Sequence, residues 1–221
     1  MSIDILFIHP NASKIIYQDL SKRHSAIEPP IWAGMLANHC RNKNFKVEIL
    51  DCEVLNLDAE QSVKEISSRK PRIACYVVYG QQPSASSQNM EGAILSANTL
   101  KNNNPEIKTL FVGGHIAALP EETLKNEICI DFVALNEGVY SISNLLKVSN
   151  LNDVNIIKKV KGIGYKDESG FVHLNDTEII VPKNLLEQDL PGVAWDLLPK
   201  LSNYRITAEC QTTTNAKPTF K

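Results

Sequence analysis

The chain is expected to fold as an α/β protein: a doubly wound, flavodoxin- or Rossmann-like sheet of five parallel strands, extended by a C-terminal β-hairpin and a linker. Three observations predict this. Short apolar runs alternate with longer amphipathic ones five times, the rhythm of strand-then-helix units joined by right-handed crossovers. One run, Arg72 to Tyr79 (RIACYVVY), is apolar on both faces, as a strand sandwiched between helices requires. Past residue 150 the rhythm gives way to two short runs about a tight turn, the pattern of a hairpin.

Taken in order, Ile3 to Ile8 reads as the first strand, and Pro29-Pro30 introduces a helix through about Arg41, since proline suits a first helical turn. Lys46 to Leu50 is the second strand and ends at Asp51. Asp58 is a good N-cap for a helix reaching Arg69, which Pro71 closes. After the third strand, residues 80 to 87 read as a loop and Gln88 to Asn102 as a helix. Ile107 to Val112 is the fourth strand and stops at Gly113-Gly114; a short helix follows Pro120. Ile130 to Leu135 is the fifth strand, and Glu137-Gly138 opens a helix to Lys147. The hairpin pairs Lys161–Tyr165 with Phe171–Leu174 around Asp167-Glu168-Ser169-Gly170. Leu185 to Leu198 reads as an extended connector anchored by leucines and Trp195. The expected division is 1–150 for the sheet domain, 151–205 for hairpin and linker, and 206–221 for a frayed polar tail.

The 221 residues suffice for one large domain and a sizeable core. Lys plus Arg number 23 against 25 Asp plus Glu, a net charge of −2, so no nucleic-acid partner is expected. The longest apolar run, Ile73 to Tyr79, is far short of the roughly 18 residues a membrane span needs. Five widely spaced cysteines include no CxxC and no CxxxCxxC. They support neither a disulfide framework nor a sequence-local metal or Fe–S site, and a cytoplasmic location is expected.

Ligands of open parallel sheets bind outside the carboxyl ends of the strands. The loops to inspect are therefore His9-Pro10-Asn11, Asp51-Cys52-Glu53, Gly80-Gln81-Gln82-Pro83-Ser84, Gly113-Gly114-His115 and Asn136-Glu137-Gly138. Gly113-Gly114 removes two side chains at the sheet rim, where a flat ligand would rest, or supplies a tight turn with positive φ. GxxxxGK[ST] and a GxGxxG after the first strand are absent. His9 is a metal ligand or a strand-end cap, and Asp51 holds a ribose hydroxyl or caps the next segment; the cap is favoured for both. His115 donates to a ligand or bonds to backbone. His24, His39 and His173 have no neighbours suggesting a site. Gly162-Ile163-Gly164 reads as close packing.

Together, the run Val78 to Met90 (VYGQQPSASSQNM), Gly113-Gly114-His115 with Pro120 to Leu124 behind it, and Asn136-Glu137-Gly138 resemble the cobalamin (B12)-binding domain that precedes the barrel of B12-dependent radical SAM proteins. Glu28 to Ala37 is similar to that family's first helix, and Pro191 to Pro199 with Tyr204-Arg205 to the linker leading into the barrel. The resemblance implies a corrin ring across the carboxyl edge, with Pro10, Asn11, Gly80, Gln81, Gln82, Ser84, Ser86, Gly113, Gly114, His115, Asn136, Glu137 and Gly138 as cofactor-binding residues. The nucleotide tail would descend near the glycines and Ser84–Ser86. It makes the chain metal-binding through the corrin, with no protein ligand to the metal assigned.

Two departures from the family pattern matter. The DxHxxG that supplies a cobalt ligand elsewhere is replaced by His9-Pro10-Asn11-Ala12-Ser13. The CxxxCxxC that holds a [4Fe–4S] cluster is absent, so this chain is expected to have no cluster and no S-adenosylmethionine site, and no catalysis of its own. It would be a truncated, excised or stand-alone module that works with a radical SAM barrel in cis or in trans. The alternatives are a nucleotide-sugar transferase-like domain, or an interaction module with a vacant site.

Overall fold

The computed structural model describes residues 3–12, 27–79 and 83–204, with only the backbone of 83–85. Its elements are β1 (Ile3–His9), α1 (Ile31–Asn42), β2 (Val47–Asp51), α2 (Ala59–Arg69), β3 (Pro71–Val78), α3 (Pro83–Asn103), β4 (Lys108–Gly113), α4 (Gly114–Ala118), α5 (Pro120–Asn126), β5 (Phe132–Ala134), α6 (Val139–Leu146), α7 (Val154–Ile157), β6 (Ile163–Lys166) and β7 (Val172–Leu174). Short helical turns follow, among them α8 (Leu186–Asp189).

The sheet runs β2-β1-β3-β4-β5-β6-β7. β1 to β5 are parallel, and the hairpin continues the same sheet, β6 pairing antiparallel with β5. The expected five parallel strands are therefore part of a seven-stranded mixed sheet. Strand order reverses between β1 and β3, which puts the ligand crevice of this topology at their carboxyl ends.

Side-chain alternation divides the core in two. Ile5 and Phe7 of β1, Cys75 and Val77 of β3 and Val112 of β4 face α1 and α6. Leu6, Ile8, Ala74, Tyr76 and Phe111 face α2, α3 and α5. All ten are essentially water-free, each large one contributing about 1.5–3 kcal/mol of transfer free energy. Tyr76 stacks on Phe111 with ring centroids 4.9 Å apart, and its hydroxyl shares a 3.1 Å hydrogen bond with Ser96.

Several local expectations hold. Asp58 caps α2 with a reciprocal capping box to Gln61, and Lys70 takes the left-handed conformation before Pro71 opens β3. A Cβ on Gly162 would lie 2.1 Å from Ser141 Oγ, and one on Gly164 2.8 Å from Leu174 and Val133. Close packing is thus the role of both glycines.

Three expectations are corrected. Residues 83 to 87 are the first turns of α3 rather than loop; the small residues there do not interrupt a helix whose later turns pack on the sheet. The helix α4 begins directly at Gly114. Trp195 is 47% exposed and does not anchor the linker; Asp189, Ala194, Leu198 and Tyr204 are buried there. The expected tail, 206–221, lies outside the described residues.

Candidate functional site

Every parallel strand delivers its last residue to one edge. β1 and β2 end at His9 and Asp51, β3 at Val78, β4 at Gly113 and β5 at Ala134. The loop after β1 is packed down, with Pro10 and Ala12 buried. A Cβ on Gly92 of α3 would lie 2.8 Å from the Asn11 carbonyl, so the helix approaches this loop at backbone distance. Asn11 donates to the Leu57 carbonyl at 3.1 Å.

Gly113 is extended, not in a positive-φ turn. Its lack of a side chain answers a different need: a Cβ would sit 2.1 Å from the Val78 carbonyl oxygen. Gly114 is less crowded: among the described residues a Cβ there would meet only Ser86, at 3.7–3.8 Å. Ser86 ties the two strand ends together, donating to Val78 O and accepting from the His115 backbone N–H at 3.1 Å. The His115 ring pairs through Nδ1 with the Ser87 hydroxyl at 3.0 Å. Below it, between α3, α4 and α5, lies a cleft of about 220 Å³ whose walls include Met90, Ile94, His115 and Leu119.

The loop after β5 is engaged by the protein itself. Asn136 donates to Glu178 O at 2.9 Å and accepts from the Gly138 N–H at 3.0 Å. Gly138 has φ +83° and caps α6, and a Cβ there would crowd Val112 at 2.9 Å. The Glu137 carbonyl accepts from Trp32 Nε1 at 3.1 Å, and Trp32 packs on Tyr79 with centroids 5.3 Å apart. This aromatic pair joins α1 to the end of β3, and sequence spacing does not mark it as part of the site, although Trp32 and Tyr79 both lie in the runs that carry the family resemblance.

Of the expected cofactor residues, the structure brings Pro10, Asn11, Ser86, Gly113, Gly114, His115, Asn136, Glu137 and Gly138 to this one end of the sheet. Ser84 is on the first turn of α3. Gly80, Gln81 and Gln82 lie outside the described residues.

His9 and Asp51 form a cluster that sequence spacing did not reveal. His9 Nδ1 lies 3.0 Å from Asp51 Oδ1. The same oxygen accepts from the backbone N–H groups of Glu53 and Val54, each at 3.2 Å, and Oδ2 accepts from the Tyr204 hydroxyl at 2.8 Å. Asp51 is therefore a cap for the turn after β2. Burial opposes the charge on both groups, yet Asp51 and Glu53 raise the His9 pKa above its ordinary value. The hydrogen bonds of His9, Tyr204 and Val54 hold the Asp51 carboxyl below its own. His39 is likewise structural, its Nδ1 2.6 Å from Asp189 O.

No group of three or more His, Cys, Asp or Glu able to hold a metal occurs among the described residues. Burial pushes the thiols of Cys40 and Cys52 up to about 12, which leaves them protonated. No described helix is long and apolar enough to cross a membrane.

The model of the B12 binding domain family matches residues 23–146. The chain belongs to that family. An uncharacterized methyltransferase of Pyrococcus horikoshii is 29% identical over 173 residues, 77% of this chain and 34% of that protein. The cobalamin-dependent S-adenosylmethionine radical enzyme OxsB, solved with aqua-cobalamin and S-adenosylmethionine, superposes with a TM-score of 0.59 at 20% identity, over 88% of this chain and 24% of OxsB. The radical S-adenosylmethionine methyltransferase TsrM of Kitasatospora setae gives 0.54 at 15% identity, over 77% and 30%. The chain thus spans about a third or less of each. It is a B12-binding domain resembling those of cobalamin-dependent radical SAM methyltransferases, and neither the transferase-like nor the vacant-site alternative finds support.

Proposed function

We propose that the chain is the cobalamin-binding module of a B12-dependent radical SAM protein of the methyltransferase type. The carboxyl edge carries the reading: β4 ends at Gly113 and α4 opens with Gly114, where an added Cβ would meet, among the described residues, Ser86 alone within 4 Å. A flat macrocycle needs such a shelf, because any side chain rising from the strand ends would hold it off the backbone.

Pro10, Asn11, Gly113, Gly114 and His115 would hold the corrin, with Gly80, Gln81, Gln82 and Ser84 completing the rim. Asn136, Glu137 and Gly138 would form its far side, aligned by Trp32 and Glu178. Ser86 and the cleft under His115 would receive the nucleotide tail. His9, spent on Asp51, orients its loop and is not assigned to cobalt. Cobalamin, when bound, supplies a cobalt-held methyl group for transfer.

On this reading the chain is a cytoplasmic carrier with no cluster or S-adenosylmethionine site of its own, and a radical SAM barrel, in cis or in trans, does the radical chemistry. The expected units 1–150 and 151–205 serve as cofactor platform and linker.

Titration with hydroxocobalamin, following the corrin absorbance, tests the assignment. A saturable spectral change is expected, weakened about ten-fold or more by Gly114→Leu, the scale of overfilling a packed site. No spectral change with the folded protein overturns it.

A further inference from the structure

The linker does not merely leave the sheet; it returns to the carboxyl edge. Asp189 bonds to Tyr140 and Lys43, Asn38 donates to Gly192 O, and Ala194 N–H donates to Gly34 O at 3.1 Å. Gly34 permits this crossing, since a Cβ there would lie 2.4 Å from Val193. The segment then reaches Tyr204, which is buried with its hydroxyl on Asp51.

We infer that Asp51 is a relay that couples occupancy of the cofactor edge to the docking of the linker, with His9 and Tyr204 as its two positioning arms. The inference rests on the cobalamin reading of that edge. One carboxylate joins both sides: Oδ1 faces His9, the last residue of β1 before Pro10 and Asn11, and Oδ2 faces Tyr204. Four donors converge on this carboxylate, and a carboxylate this deeply buried tolerates no missing donor. The position of the His9 loop and the position of Tyr204 are therefore set together. A ligand that touches the β1 loop favours the arrangement in which all four donors meet Asp51, and so favours the docked position of Tyr204. Linkage requires the converse: a docked linker raises the affinity for that ligand by the same factor.

Hydrogen exchange of the segment 190–204, with and without saturating hydroxocobalamin, reads one side of the coupling. Corrin absorbance titration of wild type, Tyr204→Phe and Arg41→Ala reads the other. Cobalamin is expected to slow linker exchange about five-fold or more, and Tyr204→Phe to weaken cobalamin binding by a similar factor. Arg41→Ala, which removes an exposed ion pair to linker residue Asp196 and leaves the four donors of Asp51 in place, should weaken binding much less than Tyr204→Phe does. Cobalamin binding that leaves linker exchange unchanged overturns the relay while the cofactor reading stands. So does a Tyr204→Phe protein with wild-type affinity, or an Arg41→Ala protein weakened equally. No binding by the wild type overturns both.

Discussion

Tyr204 donates its phenolic proton to Asp51 at 2.8 Å across 153 residues of sequence. Local propensity does not bring these two together: one ends the second strand, the other follows a string of short 3₁₀ turns. The bond fixes where the linker meets the sheet. Tyr204→Phe removes the donor and leaves Asp51 Oδ2 buried and unpaired, at a cost of about 1–3 kcal/mol. Urea denaturation checks this; a midpoint unchanged from wild type would show that water replaces the hydroxyl.

The His9–Asp51 pair gives stability a pH signature. His9 titrates above its ordinary value near 6.5, so its contribution is complete below that pH and is lost as pH rises through the higher folded value. Asp51 titrates below its ordinary value near 3.8, so its contribution is complete above that pH and is lost as pH falls through the lower folded value. The pair stabilises most between about pH 4 and 6.5. His9→Gln should lower the urea midpoint in that window and converge on wild type at alkaline pH. Parallel profiles from pH 4 to 9 would contradict it.

The adjacent glycines Gly113, at the end of β4, and Gly114, at the start of α4, should respond in opposite ways. Gly113→Ala drives a methyl to 2.1 Å from the Val78 carbonyl and should cost about 2–3 kcal/mol as strand ends shift. Among the described residues Gly114→Ala meets only Ser86, at ordinary contact distance, in the first turn of α4, and should be neutral or slightly stabilising. Thermal melts of the two variants separate the cases, and equal losses would refute the distinction.

Asp58→Ala removes the capping box of α2 and should cost about 1 kcal/mol. A loss well above that figure would mean that the aspartate does more than cap. Chemical denaturation measures it.

Much of this was legible because it is local. Asp58 before an amphipathic run and Gly138 at the start of α6 are spacing and backbone signals that a sequence carries directly, whereas the need for Gly113 lies in its approach to the Val78 carbonyl and not in a positive-φ turn. The start of α3 was not legible, since Ser84, Ser86 and Ser87 read as loop while Ser86 spends its hydroxyl on Val78 O and His115 N. Nor was the linker. Trp195 was expected to anchor the connector, whereas the chain crosses α1 at Gly34 and buries Ala194 there. The His9–Asp51–Tyr204 cluster joins three distant segments through tertiary register alone, so each member read singly as a cap or a linker residue.

Cofactor retention tests the central claim most directly. The protein is incubated with excess hydroxocobalamin and passed through gel filtration, and the cobalt eluting with it is quantified. About one cobalamin per chain is the expected result, whereas folded protein emerging free of cobalt would contradict the shelf at the ends of β1, β3 and β4.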